Sequence, residues 1–283
     1  MTIGRHIHEA TKRLTDAGCD SPRLDAELLL GHVLSLNRAQ LLARSERLLS
    51  PDEARTYQAL LDRRAQREPL AYIVGHKEFF GLELETTPHV LVPRPETELL
   101  VEQTLRLSHE IASAANVRIA DIGTGSGAIA ISLALSLPEA VVYAVDCSTA
   151  ALAVAARNCQ RHGVETRVRL LSGDLLAPLP EPVDIVVANL PYISPAEMPS
   201  LMPEVRLFEP QGALDGGDDG LELIRRLLQQ VMRQPRRPQA VLLEIGAHQG
   251  EMVLQIASEI LPEATVSLMR DYAGLERIIT VRL

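Results

Sequence analysis

The chain has 283 residues, of which 46% are hydrophobic and 23% charged, and a net charge of −9. That length holds one large or two smaller domains with ample core, and that composition belongs to a soluble globular protein. No apolar run approaches the roughly 18 residues of a membrane helix, the N-terminus lacks a signal-peptide layout, and Cys19, Cys147 and Cys159 give neither a disulfide framework nor a zinc spacing, so a cytoplasmic protein is expected.

Charge is unevenly spread. Residues 1–77 carry 12 Lys+Arg against 10 Asp+Glu, and the remainder carries 16 against 27. An acidic second part is a poor general binder of nucleic acid, whose affinity rests on neutralised phosphates. Direct nucleic-acid binding is therefore not expected.

In chain order, residues 2–67 read as four or five helices. Apolar residues recur at three- and four-residue spacing through Ile3–Ala17, Leu24–Leu34 and Tyr57–Leu61. Ser21-Pro22 has the form of an N-cap with Pro at the first helical position, and Ser50-Pro51-Asp52-Glu53 that of a capping box. Residues 71–92 change character. Tyr72-Ile73-Val74-Gly75 and Phe79 to Leu84 alternate and contain glycines, which predicts a β-hairpin connector. A helix is expected from Thr97.

Strands then alternate with helices. Strands are expected at 117–122, 141–145, 167–172, 183–188, 240–245, 264–269 and 276–282, and helices at 126–137, 148–162, 219–233 and 249–260. The fold class is thus α/β, a seven-stranded, mostly parallel sheet with helices on both faces and a small helical domain before it. The division expected is 1–70 for the helical domain, 71–93 for the connector and 94–283 for the catalytic domain. Ligands of such sheets sit beyond the carboxyl ends of the strands, near the switch point in strand order.

Two strand ends carry chemistry. Asp121-Ile122-Gly123-Thr124-Gly125-Ser126-Gly127 spaces its glycines two apart, unlike the longer dinucleotide pattern. Glycines let backbone approach a ligand, and the helix start beyond offers free N–H groups, although a plain strand-to-helix turn would look similar. Asp146 ends the next strand, where an acid can accept both hydroxyls of a ribose; Ser148 is placed to cap the helix that follows. Asp174 ends a third strand and could take an adenine amine, with Leu175 flanking the ring; a loop acid in water is the plainer alternative. Three such strand ends in succession look like the S-adenosylmethionine site of class I methyltransferases.

Asn189-Leu190-Pro191-Tyr192 then ends an apolar strand. Asn189 Oδ1 and the Leu190 carbonyl can accept the two hydrogens of a planar NH2 group, since Pro191 fixes the backbone beyond. Tyr192 could stack on that acceptor. This is catalysis by positioning and electrostatics, with no His or Glu base in the motif.

With these residues in view, the chain resembles the release factor glutamine methyltransferases, which methylate the glutamine of the Gly-Gly-Gln loop of peptide-chain release factors. Leu91-Val92-Pro93-Arg94-Pro95-Glu96-Thr97-Glu98 looks like the family's signature ahead of the catalytic domain, and the resemblance covers nearly the whole chain. Glu209-Pro210, Ala213-Leu214, Gly216-Gly217, Asp219-Gly220-Leu221, Glu244-Ile245-Gly246, Gln249, Asp271, Gly274 and Arg277 match downstream blocks. The resemblance implies S-adenosylmethionine as donor, S-adenosylhomocysteine as product and no metal. It implies donor binding by Asp121, Gly123, Thr124, Gly125, Ser126, Gly127, Asp146, Asp174, Leu175 and Asn189. It implies glutamine binding by Asn189, Leu190, Pro191 and Tyr192, with Asn189 and Tyr192 catalytic.

Two departures stand out. Leu190 replaces the family's usual first proline, and Leu175 stands where some members carry an aromatic residue. Asn-Leu-Pro-Tyr also resembles the motif of ribosomal-RNA adenine dimethyltransferases, which lack the Pro-Arg-Pro-Glu-Thr-Glu block. Adenine-N6 methylation of RNA or DNA is therefore the rival activity, and a non-catalytic donor-binding or release-factor-docking protein the rival class. Arg94 and Glu96 either line the site or pin the hairpin. Asp215 to Gly220 is read as a flexible loop near the cleft. The partner expected is a release factor, docked in part by the helical domain; a monomer is expected, and no membrane.

Overall fold

The computed structural model describes residues 1–111 and 116–283. It divides into two compact units, the first formed by Met1–His76 with Met202–Phe208, the second by Lys77–Leu201 with Glu209–Leu283.

The first unit is helical: α1 (Ile3–Asp16), α2 (Pro22–Leu34), α3 (Arg38–Ala43), α4 (Pro51–Ala65) and α5 (Leu70–Val74). Side chains cap three of these starts. Thr2 accepts from the Arg5 N–H, while Asn37 with Gln40 and Ser50 with Glu53 form reciprocal capping boxes. Ser21 sits at the N-cap of α2 without the side-chain bond that its position suggests. Ile3, Leu14, Leu29, Leu30, Leu41 and Tyr57 fill the core at 1% exposure or less. Tyr57 is buried with its hydroxyl donating to the Ala26 carbonyl at 3.0 Å, which satisfies the polar end of an otherwise apolar side chain.

The strand expected at Tyr72–Gly75 is instead the short helix α5. Pro69 starts it, and Gly75 ends it in the left-handed region at φ +84°. Aromatic and β-branched residues suit strands, but here Ile73 completes the helical core. The hairpin follows as β1 (His76–Phe79) and β2 (Leu82–Glu85).

A buried ionic cluster closes the first unit. Arg64 reaches Asp25 at 2.7 Å and Glu204 at 2.9 Å, and Arg67 reaches Glu204 at 2.6 Å. Arg64, Asp25 and Glu204 are 7%, 9% and 11% exposed at their side chains, so little water screens them. Glu204 comes from the short helix Pro203–Phe208, far along the sequence.

The second unit continues with α6 (Thr97–Ile111), β3 (Arg118–Ile122), α7 (Ala128–Ser136), β4 (Val141–Asp146), α8 (Thr149–His162), β5 (Val168–Ser172) and β6 (Ile185–Ala188). After α9 (the Pro203–Phe208 helix) come α10 (Glu222–Arg233), β7 (Ala240–Glu244), α11 (Gly250–Ile260), β8 (Thr265–Arg270) and β9 (Glu276–Arg282). The sheet order is β5-β4-β3-β6-β7-β9-β8, with β9 antiparallel to both neighbours and the other pairings parallel. It is the expected α/β sheet.

Side-chain alternation splits the core between the two faces. In β6, Ile185 and Val187 pack on one face, and Val186 and Ala188 on the other. All four are fully buried, so the strand reads as an unbroken apolar run. Strand order reverses beside β3: the chain runs outward through β4 and β5, then returns to place β6 on the other side. Ile122 and Ala188 end level with each other, so the loops after them open at one point.

The ionic cluster sets a stability test. Arg64→Met removes the shared cation and leaves Asp25 and Glu204 buried without it. A loss of about 3–5 kcal/mol is expected in urea denaturation of the full chain. Arg55→Met, which breaks the exposed pair with Asp52, is expected to cost less than about 1 kcal/mol.

Candidate active site

The loop after β3 is held from below and from the side. Asp121 is 0% exposed; its Oδ2 accepts from the Thr124 hydroxyl at 2.6 Å and from the Ala130 N–H at 3.1 Å. Its Oδ1 is buried with no partner. Burial pushes this carboxyl up to about 7, against the pull of those two bonds. Gly123 and Thr124 donate to the Val145 carbonyl, which fastens the loop to β4. Gly123 lies at φ +75°, and a Cβ there would meet Leu190 Cδ2 at 3.3 Å. Gly127, at φ +82°, faces Ile131 at 3.0 Å, so a side chain would push α7 away from the loop.

A cavity of about 410 Å³ opens above this loop. Gly123, Thr124, Gly125 and Ser126 line it, as do Asp146, Asp174, Leu175, Asn189, Leu190 and Pro191. Arg94 and Thr97 contribute from the segment before α6 and its first turn. Asp121 and Gly127 do not reach its wall: the first braces the loop and the second permits the helix to start.

Asp146 is already engaged on both oxygens. Oδ2 accepts from the Gly125 N–H at 2.9 Å and Oδ1 from the Ser148 N–H at 2.8 Å. Each oxygen keeps a second lone-pair direction for a ligand hydroxyl. Ser148 caps α8 as expected, accepting from the Ala151 N–H. Asp174 lines the same cavity. Its Oδ2 is held by Arg226 at 2.7 Å and by Gln230 at 3.4 Å, both on α10. Leu175, buried at φ +51°, supplies an apolar wall beside it.

The acceptor motif is framed by residues far from it in sequence. Asn189 Nδ2 donates to Thr97 Oγ1 at 3.1 Å. Leu190 is 5% exposed and packs under Gly123, so its side chain joins the two loops. The Tyr192 carbonyl accepts from Gln249 Nε2 at 3.0 Å, and the same Gln249 takes the Gly246 N–H at 2.9 Å. Tyr192 is half-buried and lies off the cavity wall. Burial first, and the nearby Glu244 second, push its hydroxyl up to about 12.

Residues 214–220 are packed against this motif, in contrast to the flexible loop expected. Ile193 donates to the Leu214 carbonyl and accepts from the Gly216 N–H, both at 2.9 Å. A Cβ on Gly216 would lie 2.7 Å from Tyr192 Cα, and one on Gly220 would lie 2.3 Å from the Tyr192 oxygen. These glycines are there because backbone passes against backbone.

The block at 91–98 divides its tasks. Arg94 pairs with the buried Glu209, which also accepts the Val92 N–H at 3.2 Å. Arg94 thus both lines the cavity and pins the segment. Glu96 is exposed and off the wall. Glu98 accepts from the Phe80 N–H at 3.0 Å and holds the hairpin turn. Thr97 touches Asn189, a role that sequence reasoning missed. Glu209, Glu244 and Gln249 likewise stood in recognised blocks without a task.

Two stretches of the chain match two family patterns. The one described as the PrmC N-terminal domain covers residues 6–75, and the methyltransferase small domain covers 97–205. A release factor glutamine methyltransferase of Moorella thermoacetica is 46% identical over 278 residues, spanning 98% of this chain and 97% of the relative. That of Geobacter sulfurreducens is 40% identical over 283 residues, spanning 100% and 97%. Among solved structures, the N-terminal domain of human METTL16 in complex with SAH aligns at TM-score 0.55 and 16% identity, covering 91% of this chain and 94% of that one. A methyltransferase from Pyrococcus furiosus aligns at TM-score 0.52 and 20% identity, covering 78% and 97%. These two share the fold. On sequence similarity along nearly its whole length, the chain belongs to the release factor glutamine methyltransferase family.

Proposed function

We propose that this chain methylates the side-chain amide nitrogen of the glutamine in the Gly-Gly-Gln motif of peptide-chain release factors, acting as a monomer. The chain is an S-adenosylmethionine-dependent methyltransferase. The observation that carries the reading is the meeting of the two loops: Leu190 packs beneath Gly123, and the Asn189 carbonyl lies 3.6 Å from the position a Gly123 Cβ would take. A donor resting on one loop and a planar amide held by the other would then share a single cavity.

The residues suit such a donor. The loop at 123–126 has no side chain at Gly123 and Gly125, both of which line the cavity. Asp146 offers two acceptor directions for ribose hydroxyls, and Leu175 offers an apolar face for a purine. When bound, the donor supplies an electrophilic methyl on a sulfonium. Asn189 Oδ1 and the Leu190 carbonyl would take the two amide hydrogens in one plane, leaving the nitrogen lone pair free for that methyl. The glutamine nitrogen gains the methyl and gives up a proton to solvent. Leu190 can serve here because the contact needed is its backbone carbonyl, while its side chain fills the space under the donor loop. Tyr192 lies off the cavity wall, and its carbonyl, held by Gln249, anchors the loop.

Incubating the purified protein with labelled S-adenosylmethionine, an unmethylated release factor and, separately, ribosomal RNA tests the reading. Peptide mass spectrometry is expected to place the label on the Gly-Gly-Gln glutamine. Label on RNA adenine instead would overturn it. Asn189→Ala is expected to lower kcat on the order of 10²- to 10³-fold, as for loss of a transition-state contact, with donor binding at least partly retained in calorimetry. Gly220→Ala tests the frame: its Cβ would strike the Tyr192 carbonyl, and kcat is expected to fall at least about tenfold with the donor Kd within about twofold of wild type.

A further inference from the structure

Behind the acceptor motif lies a second buried carboxylate. Glu244 ends β7, whose Leu243 is level with Ala188 of β6, so the side chains of Glu244 and Asn189 leave neighbouring strands at the same height. Glu244 is 2% exposed, does not line the cavity, and has one carboxylate oxygen, Oε2, without a hydrogen-bond partner among the described residues. The Thr97 hydroxyl and the Asn189 amide lie close enough to this carboxyl to pull it down. Asn189 Nδ2 donates to Thr97 Oγ1 at 3.1 Å, so the three side chains are neighbours.

The surroundings leave the carboxylate dependent on those two neighbours. Arg277, the cation that pulls on it, is taken by Asp271 at 3.2 Å and by the Ile245 carbonyl at 3.4 Å. The charge of Glu96, just ahead of α6, is felt at this carboxyl, and the carboxylate in turn is felt at the Tyr192 hydroxyl. Burial pushes the carboxyl up to about 7; Thr97, Arg277 and Asn189 pull it down, and Glu96 adds to the rise.

An ionised carboxylate only accepts hydrogen bonds, so an amide beside it must present N–H groups. With a lone pair already taken by one Asn189 hydrogen, Thr97 has its single hydroxyl proton to offer Glu244, which would accept the other hydrogen of Asn189. Both Nδ2 hydrogens are then committed, and Oδ1 points elsewhere. We propose that Glu244 is a positioning residue: through Thr97 and directly, it fixes the Asn189 amide with Oδ1, not Nδ2, toward the incoming glutamine nitrogen. The inference rests on the reading of 189–192 as the acceptor clamp. A protonated Glu244 offers an O–H that Oδ1 can accept. The amide then turns over, and Nδ2 faces a substrate NH2 that it repels.

The test follows kcat of the full-length protein on an unmethylated release factor from about pH 5.5 to pH 9, with donor Kd measured in parallel. Wild-type kcat is expected to fall as pH drops below about 7. Glu244→Gln keeps the shape but can donate to Oδ1 at every pH. Its kcat at alkaline pH is expected to be lower by about 10- to 100-fold, its acid limb absent and its donor Kd unchanged. Thr97→Val removes only the relay hydroxyl and is expected to lower kcat similarly, which carries the test should Glu244→Gln misfold. The two together are expected to cost no more than the larger alone, since both act through one amide. Asp121→Asn, at the other buried carboxyl, is expected to keep the acid limb. An acid limb retained in Glu244→Gln, loss of donor binding with kcat in Thr97→Val, or fully multiplying effects would overturn the positioning role. A wild type that labels no glutamine would overturn the function reading and this inference with it.

Discussion

Parallel register between β3 and β6 governs everything at the site. β6 is wholly apolar and buried on both faces, and β3 is buried from Ile119 to Ile122, so neither can slip by one residue without sending its side chains to the wrong core. Their ends are therefore fixed against each other, and so are the two loops that leave them. Leu190 packed under Gly123 completes the junction. A tight backbone on one side and an apolar side chain on the other keep the cavity floor narrow.

From that junction outward, polar groups rather than apolar ones set the detail. Three carboxylates are buried around the site: Asp121 beneath the donor loop, Glu209 beside Arg94 and Glu244 behind Asn189. Each would be costly alone. Asp121 and Glu209 take backbone N–H groups, and Glu209 also takes a guanidinium, so their cost is offset by ordering a loop. Glu244 has the side chains of Thr97 and Asn189 beside it, which ties it to the orientation of an amide.

Much of this was legible in the sequence because the relevant signals are local. The strands from β3 to β9 announce themselves as short apolar runs between glycines and polar turns, and the Ser50 capping box lies within four residues. The glycine loop and Asn189 to Tyr192 are likewise contiguous. What escaped was non-local. Thr97 meets Asn189 across 92 positions, and Gln249 meets Tyr192 across 57. Nothing in either segment alone says which partner awaits. Asp174 meets Arg226 of a helix 52 residues on, a partner that its own segment does not announce. Residues 215–220 looked flexible because glycine allows freedom and close packing equally, and only the neighbouring backbone tells which. The α5 error was of another kind: Pro69 and Gly75 marked a helix, but the β-branched and aromatic residues between them suggested a strand.

The excursion at 202–208 bears on how such a chain can be divided. The polypeptide leaves the acceptor motif, gives Glu204 to Arg64 and Arg67 of the helical unit, and returns at Glu209 to pin Arg94. The helical unit is therefore not a module that a cut after residue 76 can release. Such a fragment would keep Arg64 and Arg67 without Glu204, the carboxylate they share, and the other piece would carry Glu204 without either arginine. In gene-fusion or domain-exchange terms, the transferable object is the helical segment together with a seven-residue graft from the middle of the catalytic sequence.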